Sequence, residues 1–113
     1  MILTPEFVPS GFGEARLLAD QLAAEARSEA PIDVLFGAPF LLTHAGTPDL
    51  ATLFQRAGLP PSGGIVDRFL LEAIGEPTLD HVVQDHTDFD SWREFRDAAE
   101  RAYVAKRILE FTL

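Results

Sequence analysis

The chain has 113 residues, enough for one domain that buries roughly two thirds of the surface its unfolded form exposes. With 18 Asp and Glu against 9 Lys and Arg its formal net charge is −9, which sets its field against nucleic-acid backbones and anionic membrane surfaces as partners. It has no cysteine, which excludes disulfides, thiolate nucleophiles and sulfur-ligated metal centres.

Nine Phe, one Trp and one Tyr supply the bulky anchors of a folded core. The first residues lack the basic flank and apolar run of a signal peptide. The longest apolar stretch, residues 31 to 46, is interrupted by Asp33, Pro39 and His44. No membrane span is therefore predicted, and a cytoplasmic location is the expectation.

Residues 1 to 12 read as an extended lead-in, with room for a short edge strand through Ile2, Leu3, Phe7 and Val8 that Pro5 and Pro9 would limit. From Gly13 to about Ala30 the chain is rich in Ala, Leu and Glu. Ala15, Leu18, Leu22 and Ala26 share one helical face, which predicts an amphipathic helix. Ser10, Gly11, Phe12 and Gly13 match no phosphate-loop motif, and Glu14 puts negative charge where a phosphate would sit, so they read as the ordinary start of that helix.

Residues 31 to 46 suit either a buried strand or buried helical turns, with helix the reading adopted. Next come Thr47 as a candidate cap, Pro48 in the first turn and Asp49 at the positive dipole end. They open a helix with Leu50, Leu53, Phe54 and Ala57 as its stripe and Gly58 as its stop. Ser62 is the candidate cap of a second helix, in which Ile65, Val66, Phe69, Leu70, Ala73 and Ile74 recur at helical spacing until Gly75. The two resemble a helix-turn-helix in outline. The second carries Arg68 against Asp67 and Glu72, a charge balance that argues against DNA and leaves a plain helical hairpin.

A short helix over residues 78 to 85 would present Leu79, Val82 and Val83. Ser91 followed by Glu94 then forms a capping box for an uninterrupted terminal helix of about 22 residues, roughly 33 Å long. Asp97 with Arg101 and Arg96 with Glu100 are acid–base pairs at helical spacing along it. Successive 100° steps gather Phe95, Ala98, Ala99, Ala102, Ala105, Leu109 and Leu113 on one face, with Val104, Ile108 and Phe111 almost opposite. A helix apolar on two sides must be covered on both, by its own N-terminal segment or by a partner.

The expected fold is a single compact all-α domain over residues 1–113, of four to six helices with a long C-terminal one. The alternative is an α+β fold with a strand pair near residues 2–8 and 32–42. The expected function is a non-catalytic regulatory or protein-interaction domain, probed at Val104, Ile108 and Phe111 as the interface of a homodimer or protein complex, with no cofactor. The competing reading is a small enzyme or ligand- or metal-binding protein that uses the polar cluster at residues 80–90. There His81 and Asp85 lie one helical turn apart and His86 follows, although the spacing matches no established metal motif. His44 beside an apolar run, with Asp49 to orient it, is a further acid–base candidate, and no nucleophile motif accompanies it.

Within the terminal helix, Phe95, Arg96, Glu100, Arg101 and Tyr103 fit the pattern F-R-x-x-x-E-R-x-Y/F. Over residues 92–110 this resembles the helix that precedes the Fis-type DNA-binding module of sigma-54-dependent activators. That family's helix helps dimerise the protein, so the resemblance implies a dimerising helix. The family's nucleotide-binding loop and recognition helix have no counterpart in these residues, and neither activity is carried over.

Overall fold

The computed structural model describes residues 9–59 and 66–112. Among them the chain forms seven helices and no strand: α1 (Pro9–Ser28), α2 (Ile32–Leu35), α3 (Ala38–His44), α4 (Leu50–Arg56), α5 (Arg68–Ile74), α6 (Glu76–His86) and α7 (Trp92–Thr112). The fold is all-α, with one helix more than the upper expectation. The ambiguous segment 31–46 is the reason, since it forms two short helices split at Gly37. The strand alternative thus fails at 32–42. Its other half, residues 2–8, lies outside the described residues.

Helix α1 starts at Pro9, earlier than the residue-13 expectation, and takes in Ser10, Gly11, Phe12 and Gly13. Among its residues whose burial is described, Leu22 and Ala26 are buried, two members of the expected face. Helix α4 is capped by Asp49, whose carboxylate accepts the Thr52 N–H at 2.7 Å. Thr47 is not the cap: it is wholly buried and its Oγ1 has no hydrogen-bond partner. Gly58 follows with φ +77°, the left-handed conformation that glycine adopts at low cost after a helix.

Helix α5 begins at Arg68, with Asp67 as its cap through the Leu70 N–H at 2.8 Å. The Ser62 assignment falls outside the described residues. Gly75, φ +91°, ends α5 and at once opens α6, where Pro77 fills the first turn. Helices α5 and α6 pack on each other, as do α6 and α7, whereas α4 and α5 are not among the closely packed pairs and form no tight hairpin.

At the start of α7, Ser91 Oγ accepts the Glu94 N–H at 3.1 Å. The reciprocal half of the box is displaced by one residue, with Glu94 Oε1 accepting from the Asp90 N–H at 3.4 Å. The stripe that α7 buries is Trp92, Phe95, Ala99 and Tyr103. Of the expected face only Phe95 and Ala99 are buried. Ala102, Ala105 and Leu109 are exposed, and Leu113 is outside the described residues. The core therefore uses a strip turned towards Tyr103, where a hydroxyl finds a partner on α1.

The centre of the domain is aromatic. The Phe95 ring lies 5.2 Å from Phe36, 5.5 Å from Phe40, 5.6 Å from Phe89 and 5.8 Å from Trp92, all within the range of favourable ring contacts. Phe36, Phe54 and Phe95 are fully buried, and Leu41, Leu53 and Val83 complete the packing. These side chains bring α2, α3, α4, α6 and the first half of α7 together.

Candidate functional site

Helix α1 makes its broadest contact with α7, and the polar bonds across it fix the direction. Glu25 meets Tyr103 and Arg107, while the carbonyl of Arg27, further along α1, meets Arg96 near the start of α7. The two helices therefore run antiparallel. The late half of α1 and the early half of α7 enter the core, and α7 continues beyond it. Past Tyr103 no described residue of α7 is buried.

A three-membered polar lock sits where the pair leaves the core. The Tyr103 hydroxyl donates to Glu25 Oε2, and Arg107 Nη1 donates to the same carboxylate oxygen and to the Tyr103 oxygen, each at 2.7 Å. The Tyr103 hydrogen bond and the Arg107 guanidinium together hold the Glu25 carboxyl below its ordinary range. Burial, followed by the Glu25 contact, pushes the Tyr103 phenol up. The same bonds raise Arg107.

The expected interface residues lie on the outer half of this pair and differ in burial. Val104 is half-buried against the edge of the core, Ile108 is half-buried, and Phe111 is 61% exposed with the Arg107 guanidinium 5.8 Å from its ring centre. On α1, Leu17 is 59% exposed. Sequence periodicity could not single out Leu17, because it falls off the apolar stripe of its own helix.

The polar cluster at residues 80–90 is taken up with joining α6 to α7. Asp80 Oδ1 accepts the Trp92 N–H at 2.8 Å, so a side chain of α6 caps α7. Gln84 Nε2 donates to the Asp90 carbonyl, and the Thr87 hydroxyl bridges the Val83 carbonyl and the Phe89 N–H. His81 and Asp85 are exposed and His86 is half-buried. Among the described residues no group of three or more His, Asp or Glu side chains is placed to hold a metal ion.

His44 is oriented by Asp88, not by Asp49, which is committed to capping α4. Its Nδ1 lies 3.1 Å from both Asp88 oxygens, and the Asp88 N–H donates to the His44 carbonyl at 3.3 Å. The imidazole packs against both the Phe40 and Phe89 rings, with centroids at 4.7 and 5.0 Å. Sequence spacing could not reveal this pairing across 44 positions, which ties the end of α3 to the α6–α7 corner.

One open groove, about 870 Å³, lies between the C-terminal end of α1, the α5–α6 corner and the first half of α7. Arg68 and Arg96 reach into it and cap the carbonyls that end α1. Arg68 donates to Arg27 and Ala30, Arg96 donates to Arg27, and Arg96 also pairs with Glu100 at 3.2 Å. Cationic groups at a helix C-terminus satisfy orphan carbonyls and offset the negative dipole end.

No described helix is long and apolar enough to cross a membrane. No protein family, curated protein or solved structure matches the chain.

Proposed function

We propose that this protein is a non-catalytic interaction domain that pairs with a second copy of itself through the outer half of the α1–α7 helix pair. The observation that carries the reading is Phe111: a large aromatic side chain, 61% exposed, on a helix that continues two turns beyond its last buried residue. Half-buried Ile108, one turn earlier on the same helix, widens the apolar surface around it. An apolar group of this kind is stabilised by a covering partner.

A second copy supplies such a cover by symmetry. Two antiparallel helix pairs brought together about a two-fold axis make a four-helix arrangement, in which each surface meets its own image. The net charge of −9 opposes a nucleic-acid partner and keeps phosphate surfaces out of the account. The alternative based on His81, Asp85 and His86 draws no support from the geometry, because Asp80 is committed to the Trp92 N–H and no group of three or more such side chains among the described residues is placed to hold a metal ion.

Sedimentation velocity over a range of protein concentrations tests the reading. The expected result is a reversible dimer that Phe111→Asp converts to a monomer with an unchanged far-UV circular dichroism spectrum. A wild-type protein that is monomeric at every concentration would reject it.

A further inference from the structure

Arg107 connects the polar lock on α1 with the exposed ring near the end of α7. Tyr103, Arg107 and Phe111 follow one another at four-residue spacing, which sets them in file along one side of the helix. The guanidinium carbon lies 5.6 Å from the centre of the Tyr103 ring and 5.8 Å from that of Phe111, both within reach of a cation–π contact. One planar cation is thus shared between a buried ring and an exposed one.

The cation is held from the α1 side. Its Nη1 donates to Glu25 Oε2 and to the Tyr103 oxygen, each at 2.7 Å, the length of a strong charge-assisted bond for the first. Its Nε stands 3.6 Å from Glu110 Oε1, too far for a hydrogen bond, and the Glu110 side chain is more than half exposed, so solvent screens that attraction. Glu25 therefore decides where the guanidinium lies more than Glu110 does, although Glu110 is the neighbour of Phe111 in the chain. Core packing does little to fix Phe111 itself, because no described residue of α7 past Tyr103 is buried.

We propose that Arg107 is the positioning residue of the self-association surface: Glu25, on the other helix, fixes its guanidinium, and the guanidinium fixes the Phe111 ring before a partner arrives. The effect on association rests on the self-association reading, whereas the coupling from Glu25 to Phe111 stands on contacts within one chain. A side chain ordered in advance spares the complex its ordering cost, which for one side chain corresponds to a gain in affinity of about two- to tenfold.

Two measurements on the full chain test the proposal. The first reads the Phe111 χ1 rotamer from three-bond couplings in NMR spectra, at a dilution where the chain is monomeric. One dominant rotamer is expected in the wild type and in Glu110→Ala, and averaging between rotamers in Glu25→Ala. The second is sedimentation equilibrium, in which Glu25→Ala should weaken the dimer about two- to tenfold and Glu110→Ala less. Once Phe111→Leu has removed the ring, Glu25→Ala should have no further effect. Should Glu25→Ala fail to fold, Glu25→Gln, which keeps the shape and loses the charge, replaces it with a smaller effect of the same sign. An averaged Phe111 rotamer in the wild type, unchanged rotamers on replacing Glu25, or additive effects of the Glu25 and Phe111 replacements would overturn the proposal. A chain that is monomeric throughout but whose Phe111 rotamer depends on Glu25 would reject self-association and uphold the coupling.

Discussion

Glu25 shows how much of this protein depends on single polar contacts between distant parts of the chain. Its carboxylate accepts from Tyr103 and Arg107, and in the folded state it titrates below the ordinary glutamate value. A depressed carboxyl stabilises the fold above the unfolded-state value, and that contribution disappears as the pH falls through the folded-state value. The urea midpoint should therefore drop on acidification below about pH 4.5 in the wild type, and less steeply in Glu25→Gln. Tyr103 behaves oppositely: its raised phenol contributes below the ordinary tyrosine value and is lost as the pH climbs through the raised one. Asp49 and Asp67 are simpler cases, each accepting one orphan N–H at a helix start. Asp67→Ala should cost about 1 kcal/mol in equilibrium unfolding. Asp49 could be read from the sequence as a favourable charge. Its priority over Thr47 could not, because only the packing shows that Thr47 is wholly buried.

At the scale of elements, α7 carries the most weight. Its start was legible in Ser91 and Glu94, and its continuity in the absence of any Gly or Pro after them. Its buried face was legible only in part. Small apolar residues such as Ala102 and Ala105 satisfy a helical period as well as Phe95 does, but a short side chain gains little from burial, and the core turned to the strip that ends at Tyr103. Phe95 is the centre of that strip, fully buried against four aromatic rings. Replacing it with Ala should destabilise the protein by about 3 to 5 kcal/mol in chemical denaturation, because the surrounding rings close only partly over the cavity. The corner between α6 and α7 carries a second lesson. Residues 80–90 look like a reservoir of metal ligands in sequence. In the fold Asp80 and Asp88 are spent on the Trp92 N–H and on His44, tasks that need partners 12 and 44 positions away.

For the molecule as a whole, the arrangement is asymmetric. An aromatic core holds one end of the antiparallel α1–α7 pair, and the other end extends beyond it with Leu17 and Phe111 exposed. If self-association covers that end, the melting temperature should rise with protein concentration, and Phe111→Asp should remove the dependence, since a dimer is favoured by mass action. The Arg-lined groove lies at the opposite, core-held end of the pair.

The sequence by itself determined the helical class, the positions of the glycine stops at Gly58 and Gly75, and the long terminal helix, because propensity, capping and helical period act over a few neighbouring residues. Only the tertiary structure decided which face of α7 is buried, that Asp88 orients His44, and that Arg68 and Arg96 meet at the end of α1. Those contacts join residues about 40 to 70 positions apart, and no local periodicity encodes a partner at that separation.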